Sequence, residues 1–353
     1  MKILQIVPDL NLAGAQTMCE NLVMELKKNA DDIVEIISFY NDKTPITQRL
    51  ELTGIKIYYL DKKSGFDFKL IKKIRKIISE FNPDVIHTHR YVLEYVIPAV
   101  FMKKKIKIIH TVHNVAEKEV SKGLQLFQKW LFKSGRVRPV AISDIVKESI
   151  ERLYKIKNVP VVYNGIDLNN CIKKDAYTNS LCILHIGRFN DQKNHLGIIA
   201  IFEKCYTKNK NLKLILVGDG EKKNDIENLV KNKQFKDNVI FKGNLSSCYD
   251  ILNKTDIFIL PSKWEGMPMT LIEAMGTGNV CVAYPVGGIP DMIDNEINGF
   301  LPENEEKFAN VILKLCENEK LKSQIGKNAI VKSNRFSSNN MKDDYYSLYK
   351  DNS

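Results

Sequence analysis

Twice along this sequence, short apolar runs suited to buried β-strands alternate with helical stretches. The first series is ILQIV (3–7), IVEIISF (33–39), IKIYYL (55–60), DVIHTH (84–89), IKIIHTVH (106–113) and PVAIS (139–143), with VPVVYNGID (159–167) closing it. Runs that stay apolar on both faces, separated by helices, belong to a parallel sheet with right-handed crossovers. Between them, residues 15–29 place Met18, Leu22, Val23 and Leu26 on one helical face. Residues 67–81 do the same with Leu70, Ile71, Ile74, Ile77, Ile78 and Phe81. The second series is SLCILHIGR (180–188), LKLILVGDG (212–220), NVIFKG (238–243), DIFILPS (256–262) and VCVAYPVGG (280–288). The polar, irregular stretch from Asn164 to about Thr178 reads as a linker. The expected organisation is a domain over 1–167, a second over 168–335, and a helix in 336–353 that returns to the first domain. Two doubly wound α/β domains in tandem predict a ligand in the cleft they face, outside the carboxyl ends of the strands.

Composition narrows the class. With 353 residues, 44% hydrophobic and 27% charged, the chain can bury sizeable cores, which excludes a disordered or fibrous protein. It has no run of eighteen apolar residues to span a membrane, and MKILQIVPDL enters a strand with no signal-peptide pattern. Its seven cysteines are scattered, odd in number and without a C-x-x-C pair, against both a disulfide framework and a zinc site. A reduced, cytoplasmic protein is expected. The net charge of +11 is uneven: residues 1–170 hold 28 Lys+Arg against 19 Asp+Glu, or +9, and the remainder 25 against 23, or +2. A basic half suits an anionic partner, and equally an ordinary solvated surface. No basic motif interleaved with aromatics appears, so nucleic acid is not the expected partner.

The chemistry concentrates in PSKWEGMPMTLIEAM (261–275). A strand ends at Pro261, a loop carries Glu265 and Gly266, and Pro268 fits the first position of a helix. The amides of Met269 and Thr270 then form a ready site for a phosphate. Glu273 sits one turn inside that helix. In GRFNDQKN (187–194), Arg188 offers a planar fork of donors and Lys193 a point charge, together suited to a diphosphate. LNLAGAQT (10–17) places Gly14 in a strand-to-helix turn, and GDGEKKND (218–225) is a second partial glycine motif. Neither is a dinucleotide fingerprint. Four of the six histidines, His87, His89, His110 and His113, fall near the ends of two strands. No ligand set accompanies them, so core packing suits His87 and His110, and a sugar contact suits a histidine at a strand end. No D-x-D, G-x-S-x-G or Walker A motif occurs.

These motifs, in this order, resemble a retaining glycosyltransferase of family 4 with the GT-B fold, over nearly the whole chain. AGAQTMCENL (13–22) resembles the family's glycine turn, with Ala13 in place of its first glycine and Gln16 in place of its glutamate. PDVIHTH, IIHTVHN and VVYNGID resemble further elements, and Glu265 through Glu273 resembles the E-x7-E element. The resemblance implies that Gly14, Arg188 and Lys193 hold the donor diphosphate and Glu273 the ribose hydroxyls. It further implies that Glu265, with Gly266, Met267, Pro268 and Met269, holds the donor sugar and phosphate. His113 would approach the sugar hydroxyls, and the backbone around Lys242 the base. The expected activity is metal-independent, cofactor-free transfer of a hexose or N-acetylhexosamine from a UDP-sugar to a saccharide acceptor, lipid-linked, in cell-surface polysaccharide synthesis. Retention would follow from reaction on one face, with double displacement through Glu265 as the alternative. A sugar-nucleotide epimerase and a non-catalytic sugar-binding protein are the rival readings; a nicotinamide dehydrogenase lacks its fingerprint. Segment 122–138, with Leu124, Phe127 and Leu131 on one stripe and lysines and arginines around it, is expected to dock on an anionic membrane at the inner face of the cell membrane, joined by KKIRK (72–76) and KKKIK (103–107).

Overall fold

The computed structural model describes residues 1–100, 105–172, 174, 177 and 181–351. The chain divides into two compact units, one of Met1–Gly165 with Ser338–Ser353, the other of Ile166–Ser337.

In the first unit, β1 (Lys2–Val7), β2 (Ile33–Ser38), β3 (Lys56–Tyr59), β4 (Val85–His89), β5 (Lys107–Val112) and β6 (Arg138–Ala141) form one sheet in the order β3-β2-β1-β4-β5-β6. All its pairings are parallel. The helix Phe68–Phe81 buries Leu70, Ile74, Ile77, Ile78 and Phe81 and leaves Lys72, Lys73, Arg75 and Lys76 outside. Asp67 starts this helix by accepting from the Lys69 amide at 3.0 Å, and Asn82 ends it in the left-handed conformation. A helix at Pro45–Leu52 went unread in the sequence because its apolar period is short; a capping box between Thr44 and Thr47 starts it.

VPVVYNGID does not form the expected strand. It makes only isolated bridges, Ala141 to Val161 and Ile166 to Ser337, because Pro160 has no N–H to extend a ladder. Residues Lys103 and Lys104 of the expected basic cluster lie outside the described residues, as does most of the stretch 173–180 expected as linker.

In the second unit, β7 (Cys182–Ile186), β8 (Lys213–Val217), β9 (Val239–Gly243), β10 (Ile257–Leu260) and β11 (Val280–Ala283) form a parallel sheet in the order β11-β10-β7-β8-β9. Its strands pack through Ile183, Leu214, Leu216, Ile257 and Val282 onto Phe202, Phe235, Phe308 and Ile312 of the covering elements.

The helix Ser338–Lys350 belongs to the first unit. It lies against the helix Gly14–Lys27, where Ser338 Oγ donates to Glu25 Oε1 at 2.8 Å, and it buries Tyr345 and Tyr349 completely. Both tyrosines hydrogen-bond inside the sheet layer, Tyr345 to Thr111 and Tyr349 to His87, each at 2.7 Å.

Asp256, at the entry to β10, is a buried carboxylate between two ammonium groups. Lys322 Nζ lies 3.2 Å from it and is fully buried, and Lys174 Nζ lies 3.5 Å from it. Removing the shared carboxylate takes the counter-charge from both buried cations, although Lys174 keeps the Thr255 carbonyl and Asn279 Oδ1, whereas removing Lys322 leaves the Lys174 pair in place. Asp256→Asn should therefore cost about 3–5 kcal/mol in urea unfolding, and Lys322→Met clearly less. Equal losses would contradict the carboxylate's place as the hub.

Candidate active site

In the second unit the strand order reverses at β7. The chain goes from β7 to β8 on one side and later returns to β10 on the other. The loops leaving the carboxyl ends of β7 and β10 consequently diverge, and a crevice opens at that point. The loop after β7 carries Arg188, Gln192 and Lys193; the loop after β10 carries Glu265 to Pro268.

The two loops meet through an ion pair. Lys193 Nζ lies 2.6 Å from Glu265 Oε1, with the lysine head 15% and the carboxylate 4% exposed. Gln192 donates to the other oxygen, Glu265 Oε2, at 3.2 Å and to the Trp264 carbonyl at 3.0 Å. Asn194, left-handed at φ 56°, caps the following helix through Gly197 and donates to the Pro261 carbonyl at 3.0 Å. Lys193 is thus seated beside a carboxylate from the neighbouring loop. Arg188 stands apart from this pair: its side chain is 73% exposed and reaches Glu221 at 3.7 Å.

Backbone packing holds both loops. Gly287, at φ +57°, lies so close to the Glu265 carbonyl that a Cβ would overlap it, and Gly288 N donates to Gly266 O at 2.8 Å. Gly218, at φ +133°, is pressed likewise against the Gly187 carbonyl before Arg188. The GDG turn, a partial phosphate motif in the sequence, therefore braces the arginine loop; Phe189 N donates to Asp219 O at 2.9 Å. Only glycine tolerates these approaches.

The helix Met269–Gly276 starts beside this pair. Pro268 is its N-cap, one residue earlier than the first helical position expected, and caps with no side-chain bond. The opening amides at Met269 and Thr270 have no carbonyl one turn back to bond, and the buried Thr270 hydroxyl has no hydrogen-bond partner among the described residues. Gly266, Met267, Pro268 and Met269 are all buried. Glu273, one turn on, is held up at about 7 by burial. Lys242 is on the edge strand β9, two strands from β7, with its side chain exposed.

Two expected site residues belong to the first unit. Gly14 opens the helix Gly14–Lys27 after β1, exposed, and Gln16 turns back to Asp9 at 2.8 Å. His113 follows β5, with Nε2 3.0 Å from His89 Nδ1. Burial holds His89 at about 3 and His110 likewise, and His113 well below its ordinary value, so these rings are neutral. His87 and His110 are fully buried, bonded to Tyr349 and Thr111 and to Thr88 respectively. Glu119, absent from the sequence reading, is pushed up to about 7 by burial, and its buried Oε1 has no hydrogen-bond partner among the described residues. Among the described residues no group of three or more His, Cys, Asp or Glu side chains is placed to hold a metal ion.

Paired doubly wound units of this kind are the fold of the GT-B glycosyltransferases. The structure is similar to HepE of Anabaena, solved with UDP and glucose, with a TM-score of 0.85 at 18% identity over 99% of each chain. Residues 12–170 match the model of Glycosyltransferase Family 4, and residues 170–332 that of Glycosyl transferases group 1. The chain belongs to family 4 of the glycosyltransferases. It is 27% identical over 281 residues (75% of this chain, 73% of the relative) to N-acetyl-alpha-D-glucosaminyl L-malate synthase of Bacillus anthracis. It is 29% identical over 280 residues (72% of each) to UDP-Gal:alpha-D-GlcNAc-diphosphoundecaprenol alpha-1,3-galactosyltransferase of Escherichia coli.

The raised Glu273 makes stability pH-dependent. Between its ordinary value of 4.5 and about 7, the folded chain keeps a proton that the unfolded chain has released. Stability at this residue therefore falls as pH rises across that window. Thermal melts of Glu273→Gln against pH should show a flatter decline than the wild type, the remaining slope coming in part from Glu119. Parallel melting curves would contradict a buried, proton-holding Glu273.

Proposed function

We propose that this glycosyltransferase moves a hexose or N-acetylhexosamine from a UDP-sugar to a saccharide acceptor, lipid-linked, with retention of configuration and without a metal. The observation that carries the donor reading is the buried Lys193–Glu265 pair at the β7/β10 switch point, beside the helix start at Met269. A cation, a carboxylate and free amides in one place suit a substrate with both phosphate and sugar hydroxyls. The names of the Escherichia coli and Anabaena proteins, with UDP-Gal in one and UDP and glucose in the other, favour the same donor class. The former, with the capsular polysaccharide biosynthesis glycosyltransferase CapH of Staphylococcus aureus, favours cell-surface polysaccharide synthesis.

In this reading Arg188, Lys193 and the amides of Met269 and Thr270 take the diphosphate, neutralising charge as the sugar–phosphate bond breaks. Glu273 accepts the ribose hydroxyls, and the backbone at Lys242 faces the base. Glu265, with Gly266 to Met269, holds the sugar. Gly14 allows close approach of the diphosphate, and His113 meets a sugar hydroxyl. The departing phosphate oxygen receives the proton of the acceptor hydroxyl on the face that the acceptor enters, so the configuration is kept.

A contact with an anionic membrane surface is part of the same proposal, on a narrower surface than expected. In the helix Lys122–Lys133, Leu131 and Phe132 are buried in the first unit, so the expected Leu124–Phe127–Leu131 stripe is not free. Leu126 and Trp130, one turn apart, are 71% and 61% exposed, next to the exposed Lys122 and Lys133. Among the described residues no helix is long and apolar enough to cross a membrane.

Calorimetric titration with UDP in excess EDTA tests the donor site. Arg188→Ala should lose roughly ten- to a hundred-fold in affinity, as expected for a charge-assisted bond. His113→Ala should keep UDP affinity and lose sugar transfer. Wild-type affinity in Arg188→Ala, or transfer that EDTA abolishes and magnesium or manganese restores, would overturn the assignment. Sedimentation with liposomes tests the surface: Leu126→Ser/Trp130→Ser should stay in the supernatant where the wild type pellets with anionic vesicles at low salt. Equal recovery of both proteins would remove the membrane contact.

A further inference from the structure

The hydrogen bonds behind His113 form a continuous chain that begins on the helix Ser338–Lys350. Gln5 Nε2 on β1 donates to Tyr349 Oη at 3.3 Å. Gln5 Oε1 accepts from His89 Nε2 at 2.9 Å. His89 Nδ1 in turn lies 3.0 Å from His113 Nε2. Gln5 and His89 are 0% and 1% exposed, so water does not substitute for these partners.

The order of donors follows from chemistry. An amide oxygen only accepts, so the proton of His89 sits on Nε2. A neutral imidazole carries one N–H, so His89 Nδ1 has a lone pair and needs a donor. The one it meets is His113 Nε2. The other nitrogen of His113, Nδ1, is then unprotonated, and it has no hydrogen-bond partner among the described residues.

We propose that Gln5 and His89 are positioning residues that hold His113 as its Nε2–H tautomer, with Nδ1 presented as acceptor to a sugar hydroxyl. The assignment deepens the role given to His113 above and rests on it. Tyr349 orients the Gln5 amide and, through it, both rings. The ring that meets the sugar therefore accepts a hydrogen bond and does not donate one. A donor whose facing hydroxyl is replaced by an acceptor would meet two lone pairs.

Long-range proton–nitrogen spectra of the full chain, labelled at histidine nitrogen and free of donor and acceptor, test the tautomer directly. The His113 signals are identified as those missing from His113→Asn. Wild-type His113 should show a pyrrole-type Nε2 and a pyridine-type Nδ1. In Gln5→Met the single tautomer should give way to a mixture, and in Tyr349→Phe to a smaller admixture, with circular dichroism unchanged. The opposite tautomer in the wild type, or an unchanged one in both variants, overturns the relay. Turnover of Gln5→Met should fall about tenfold, the size expected when one hydrogen bond to the sugar is misdirected, with donor KM little changed; wild-type turnover overturns the positioning role. The spectra need no substrate, so they stand or fall separately from the identity of the transferred group.

Discussion

In a parallel sheet whose first strand lies at the centre, the chain must build outward on one side and then cross back to build the other. Both units obey this constraint, with β1 and β7 at their centres. The two loops on either side of the reversal cannot pack along the same direction, so they part and leave backbone groups exposed at the strand ends. Every side chain of the second unit's candidate site except Met269, Thr270, Glu273 and Lys242 stands on those two loops. The position of the site is thus a property of strand order. Its chemistry is a property of the few residues placed there.

The Lys193–Glu265 pair gives that crevice its electrostatic character. A lysine beside an opposed carboxylate is neutralised locally at little cost in mobility, since Gln192 and the glycine contacts at Gly287 already restrain the loop. An incoming diphosphate would compete with Glu265 for the ammonium, and the sugar hydroxyls would take up the carboxylate so released. The exposed Arg188, in long contact with Glu221, can turn toward the same charge. In the reading proposed above, this exchange of partners would make donor binding a substitution of ion pairs, in which no charge has to be buried alone.

Much of this was legible in the sequence. Strand series with a period of about one strand and one helix revealed two parallel sheets, because buried parallel strands are apolar on both faces. Glu265, Arg188 and Lys193 stood out as charged residues in the loops just past apolar strand runs, and Glu273 as a carboxylate one turn inside the helix that follows. VPVVYNGID misled because its composition is strand-like while Pro160 breaks the ladder. Gln192 and Gly287 carry no pattern of their own; their roles depend on which loop lies opposite. The partners of His113 were hidden for the same reason, since Gln5, His89 and Tyr349 come from distant places and meet only in the folded sheet. The Leu126–Trp130 face was partly misread because helical period alone does not say which stripe the domain uses.

The helix Ser338–Lys350 makes the first unit discontinuous in sequence, whereas the second unit is contiguous. Gln5 and Tyr349 are separated by 344 positions. During synthesis the ribosome therefore delivers every strand of the first sheet long before the tyrosines that complete its polar interior. Until they arrive, Gln5 and His87 lack Tyr349 and Thr111 lacks Tyr345. The second unit, complete at Ser337, can close on its own in the meantime. Translation order thus favours a half-finished first domain waiting on its neighbour, and the part of the molecule assigned to His113 becomes competent last.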